Sequence, residues 1–230
     1  MSLSWSQIFR LGLVQMALGS IVVLTTSTLN RLMVVELSLP ALLPGVLVGL
    51  HYGIQLSRPR WGFRSDVGGN RTRWIIGGMI ALALGGVGAT YAVTLFAVHY
   101  WLALTASIMS YGLIGIGVGA SGTSLLALLA TATAAHRRAA AATITWLMMI
   151  FGIALTAGVA GQFLDPYTPE RLMTVVITIA LLAILLTVLA IWNIERSVSP
   201  RASEPDIPFQ EALREVWAES KTRNFTIFVF

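Results

Sequence analysis

Charged residues fall in clusters along this chain, and between the clusters stand six long apolar runs: about Leu11 to Leu29, Leu37 to Leu56, Trp74 to Val98, Trp101 to Leu129, Ala140 to Phe163 and Leu172 to Trp192. A helix of about twenty apolar residues crosses the ~30 Å hydrocarbon layer, and within lipid a helix is the single-segment structure that satisfies its own backbone groups. The pattern predicts an all-α membrane protein, a bundle of six transmembrane helices within residues 1–194. Run one carries Gln15 and the cluster Thr25, Thr26, Ser27, Thr28, so one of its sides is expected to face protein. Run two has Pro40 and Pro44 in its first turns, where proline is best tolerated. A break at His99 and Tyr100 separates runs three and four, and Asp165, Pro166 and Pro169 mark a turn between five and six.

Composition agrees, with 11% charged residues and a mean hydropathy of +0.79. The net charge of +5 does not indicate nucleic acid here, because in a membrane protein the placement of basic residues matters more than their sum. With the N-terminus inside, only Arg31 and Arg171 of the fifteen Lys and Arg fall outside, which implies a cytoplasmic N-terminus. Trp61, Trp74, Trp101, Trp192, Tyr100 and Tyr167 lie near run ends as interfacial anchors. The chain has no Cys, which removes disulfides, thiol nucleophiles and thiolate-held metals.

Residues 195–224 are polar and contain Pro200, Pro205 and Pro208, as expected of a solvated linker. Within them Phe209, Ala212, Leu213, Val216 and Trp217 recur at helical spacing, predicting a short amphipathic helix over about 208–220 on the inner surface. Residues 225–230 read as the start of an incomplete seventh span. Six spans, a linker and a further start make the plan of the first half of a twelve-span transporter, whose binding site lies between halves.

The segment between runs two and three sets Gly62, Asp66, Gly69 and Arg71 at the spacing G-x-x-x-D-x-x-G-x-R, followed by Arg73. It resembles the signature loop of the major facilitator superfamily, in which glycines allow a tight inner turn and the acidic residue joins a gating charge network. Val67 departs from that pattern, since a basic residue usually follows the aspartate. The stretches 12–19, 28–37, 50–62 and 66–78, with Gly12-Leu13-Val14-Gln15, Asn30-Arg31-Leu32 and Leu50-His51-Tyr52-Gly53-Ile54-Gln55, are similar to the PucC/LhaA family. That family is the bacteriochlorophyll-delivery branch of the superfamily. The resemblance implies an assembly factor for light-harvesting antenna complexes in the intracytoplasmic photosynthetic membrane. Its implied partners are membrane lipid, antenna polypeptides and the reaction-centre core complex.

Gly45, Gly49 and Gly53 form a doubled G-x-x-x-G ridge on run two, and Gly115 and Gly119 stand in a glycine-rich run four with Gly112, Gly117 and Gly122; such residues let helices pack closely in lipid. His51 points away from the ridge and shares a polar stripe with Gln55 and Arg58. A neutral His at this depth serves either as a helix-to-helix hydrogen-bonding residue or as an axial ligand to the magnesium of a bacteriochlorophyll, with Gln55 beside it. Apart from Glu36 near an outer end, no carboxylate lies within an apolar run, and no nucleophile set, phosphate loop or metal-binding His pair is present. Enzymatic activity is therefore not expected. Two other readings stand beside antenna assembly: a solute exporter, and a pigment-free scaffold for antenna helices.

Overall fold

A computed structural model describes residues 2–67, 70–197, 209–220 and 222–223. The described residues are nearly all helical. α1 (Trp5–Val23) starts at a capping box: the Ser4 hydroxyl accepts from Gln7 N–H at 3.3 Å, and the Gln7 side chain accepts from Ser4 N–H at 2.8 Å. α1 runs through a π-helical turn, Leu24–Thr28, into α2 (Leu29–Val35), so the first span is a single rod from Trp5 to Val35. The polar cluster of run one is that π-turn. The Thr25 and Thr26 hydroxyls donate back to carbonyls one turn earlier, and the buried Tyr111 hydroxyl donates to the Thr25 carbonyl at 2.7 Å. A widened turn leaves carbonyls displaced from their helical donors, and Tyr111 supplies one replacement from a neighbouring helix.

α3 (Leu42–Gln55) is shorter than expected. Residues 36–41 leave the helix, Pro40 lies before it, and it ends two residues ahead of α4 (Arg58–Val67). At fourteen residues α3 extends about 21 Å, less than the hydrocarbon thickness. Among the described residues five helices are long and apolar enough to cross a membrane: Trp5–Val35, α5 (Arg71–Leu95), α6 (Tyr100–Ala132), Ala135–Phe163, which includes α7 (Arg138–Phe163), and α8 (Pro169–Ile191). The break between α5 and α6 falls at His99, as the pattern predicts. α8 begins with Pro169 behind a Thr168 cap, the usual entry to a helix. A short α9 (Ile194–Ser197) follows, and α10 (Phe209–Ala218) occupies the amphipathic stretch of the linker. The expected start of a seventh span lies outside the described residues.

Helix packing depends on small residues. α5 and α6 meet most closely: a Cβ placed on Gly117 would lie 2.4 Å from the Leu82 backbone nitrogen, and one on Gly78 would lie 2.4 Å from the Ser121 nitrogen. Backbones this near leave room only for hydrogen, which is how helices gain dispersion contact where no hydrophobic effect drives them together. α1 lies between α7 and α8, with Met16, Met148 and Met149 filling the gaps over Gly152, Gly12 and Gly19. α7 keeps large residues outward, among them Trp146, Leu147, Ile150 and Phe151.

Candidate functional site

The polar stripe on α3 forms a continuous chain of hydrogen bonds. Arg58, just past the helix end, donates through its guanidinium to Gln55 Oε1, and Gln55 Nε2 lies 2.8 Å from His51 Nε2. The bond from Arg58 fixes the amide with its oxygen outward, so Gln55 donates to His51 Nε2 and the imidazole proton resides on Nδ1. His51 is 1% exposed, and its Nδ1 has no hydrogen-bond partner among the described residues. Its carbonyl faces Gly115, where a Cβ would come within 2.8 Å of the His51 oxygen and 2.9 Å of Ile54. α3 thus docks on α6 through His51 and Ile54, with Gly115 as the seat.

This arrangement does not fit an axial ligand to a chlorin magnesium. A ligand nitrogen must present a lone pair to open space, but that of Nε2 is taken by Gln55 and Nδ1 carries the proton inside the helix contact. Neither the cavity between α4, α5 and α6 nor the one between α1, α7 and α8 is lined by His51. The bond made by the His51 ring lies within α3, one turn long, and is not the helix-to-helix bond expected of it.

The glycine ridge also departs from expectation. Nothing lies within 4 Å of a Cβ on Gly45, Gly49 or Gly53, so within the described residues the ridge holds no neighbouring helix. The reason is rotational: His51 and Ile54 take the contact with α6, which turns the ridge to the other side. Gly119 faces the Trp61 ring, where a Cβ would lie 3.3 Å from Cδ1.

The segment expected to be a glycine-turn loop is mostly the helix α4. Gly62 lies inside it and faces α6, where a Cβ would lie 3.3 Å from the Thr123 methyl, and Ser57 accepts from Trp61 Nε1 at 3.0 Å. Asp66 belongs to α4, but its side chain, like Gly69 as a whole, lies outside the described residues. Arg71 bonds Thr131 of α6 through its guanidinium, while Arg73 is exposed.

Two residues that pattern reading passed over organise this end of the bundle. Asn70 caps α5, accepting from Arg73 N–H at 3.2 Å, and its place just before an apolar run is a recognisable start signal. Glu195, after the last span, accepts from Arg71 N–H at 2.8 Å, Thr72 N–H at 3.0 Å and the Thr72 hydroxyl at 2.6 Å. A carboxylate at a helix N-terminus is favoured by both orphan donors and dipole. No local signal announces a contact spanning 124 residues.

Among known proteins, a family model described as PUCC protein matches residues 28–230. The chain belongs to that family. A protein of Rhodobacter capsulatus named "Bacteriochlorophyll synthase 44.5 kDa chain" is 62% identical over all of this chain and 54% of its own length. "Protein PucC" of the same organism is 29% identical over 92% of the chain and 49% of its own length, and "Protein PucC" of Cereibacter sphaeroides is 27% identical over 82% and 44%. The chain therefore spans about half the length of these PUCC relatives. The synthase name corrects the expectation that enzymatic activity is absent: the lack of familiar catalytic motifs does not exclude it when so similar a relative carries an enzyme's name.

Proposed function

We propose that this PUCC protein takes part in assembling photosynthetic pigment complexes, handling bacteriochlorophyll or antenna polypeptides within the photosynthetic membrane with its N-terminus in the cytoplasm. The observation that carries the reading is the family match across residues 28–230, together with a 62% identical relative whose name contains the pigment. The structure adds compatible surfaces: apolar residues of α7 and the bare α3 ridge are open, as expected where further helices are to be received. Because the relatives extend well beyond the aligned part, the natural occupant of the ridge is the remainder of such a protein, which would complete a major facilitator fold around the Gly62, Asp66, Gly69, Arg71 and Arg73 segment.

The test is an absorption spectrum and polypeptide analysis of the protein purified in mild detergent from a pigment-forming host. Chlorin bands, antenna polypeptide, or both are expected. Given the buried Gln55 bond, His51→Phe retains whatever pigment is present. A preparation with neither pigment nor antenna polypeptide refutes the proposal. The relative's name favours a second reading, a part in bacteriochlorophyll synthesis itself. Membranes lacking the protein would then fail to form the pigment, whereas an assembly role leaves pigment formation intact and lowers only its incorporation.

A further inference from the structure

At the arginine-rich end of the bundle a cavity of about 510 Å³ opens between α4, α5 and α6. Its wall changes character with depth. At the mouth stand Asn70 and Arg73, then the Trp61 and Trp74 rings with centroids 5.7 Å apart, and beyond them Gly77 and Ala81 on α5, facing Ile116 of α6. Arg73, Trp74, Gly77 and Ala81 recur every one to four residues on one helix face, so the groove runs about 12 Å along α5 from charge to hydrocarbon.

The polar groups of this wall that are not already engaged are donors. The Arg73 guanidinium and the Trp74 indole N–H have no hydrogen-bond partner among the described residues, and Asn70 uses its oxygen for the cap, leaving its amide N–H₂. The helix N-terminus itself is closed, since Glu195 holds the Arg71 and Thr72 N–H groups. No carboxylate among the described lining residues competes for Arg73. Gly77 is exposed and has nothing within 4 Å of a Cβ, so the floor is empty in the shape of a chain and not filled by neighbours.

We infer that this cavity is a site for an anionic phospholipid, its phosphodiester on Arg73, Asn70 and Trp74 and an acyl chain along Gly77, Ala81 and Ile116. The polarity gradient selects an amphiphile over a soluble anion, and the all-donor mouth selects a negative head. Tryptophans at this level match the headgroup boundary. The site is independent of what the protein assembles.

The experiment places the purified protein in nanodiscs containing phosphatidylglycerol or phosphatidylcholine with brominated acyl chains, and reads the fluorescence lost in Trp74→Phe as the Trp74 signal. Brominated phosphatidylglycerol is expected to quench that signal with about five-fold higher apparent affinity, the worth of one arginine at a membrane surface. Arg73→Gln removes the preference. Gly77→Leu, which the open floor accommodates without disturbing the helices, lowers quenching by both lipids. Equal quenching by the two lipids, or undiminished quenching in Gly77→Leu, overturns the inference. So does loss of the preference on adding millimolar glycerol phosphate, which would identify a site for soluble phosphate.

Discussion

Replacing Gly117 by alanine adds one methyl group at the tightest crossing in the molecule. The new carbon would sit 2.4 Å from the Leu82 nitrogen, 2.7 Å from the Gly78 oxygen and 2.8 Å from the Leu82 Cα, where ordinary contact begins near 3.4 Å. All three are backbone atoms, so no side-chain rotation relieves the overlap and α5 and α6 must part by about 1 Å, forfeiting a quarter to a half of the local dispersion. Overpacking of this kind costs about 1–3 kcal/mol, against a helix-propensity gain of about 1 kcal/mol for Gly→Ala. The net expectation is a loss of about 0–2 kcal/mol. Gly77→Ala is the internal control: the same chemistry in the same helix pair, with open space around the methyl, should be neutral or up to about 1 kcal/mol more stable. Reversible unfolding of both variants in mixed micelles, followed by circular dichroism, measures the difference. If Gly117→Ala is as stable as Gly77→Ala, the close approach of α5 and α6 is not what holds this bundle together.

Two further outcomes follow from buried and capping hydrogen bonds. Tyr111→Phe leaves the Thr25 carbonyl of the π-turn without its donor and should cost about 1–2 kcal/mol in the same assay, with faster hydrogen exchange confined to residues 24–32; uniform exchange would show that Tyr111 does not serve the turn. Glu195→Gln keeps the shape but removes the charge at the start of α5. A loss of about 1 kcal/mol that shrinks with added salt is expected, and a salt-independent loss would assign the effect to packing instead.

What pattern could and could not reveal is clear from particular elements. Runs three to six became helices within a few residues of their expected limits, because twenty-residue apolar segments in lipid have no other way to satisfy their backbones. Run two forms a shorter helix than its apolar length, which includes residues 37–41, because Pro40 and a positive φ of 51° at Ser38 keep that stretch out of the helix. The signature segment was legible as a motif but not as a helix, since Gly62, read as a turn residue, lies inside α4. His51 was legible as a buried polar residue, while its engagement needed the Arg58–Gln55 geometry to decide which nitrogen holds the proton.

Hydropathy alone therefore determined that this is a helical membrane protein, and local motif determined its PUCC resemblance, because both depend on the solvent and on neighbours a few residues apart. Tertiary structure decided which faces meet. It turned the glycine ridge of α3 outward and set Gly115 and Gly117 at the crossings. It brought Glu195 to the start of α5 and closed His51 against α6. Such choices arise from the rotation of each helix about its own axis, a quantity that in lipid is fixed by close packing and a few buried hydrogen bonds and not by apolar character, which is nearly the same all around these helices.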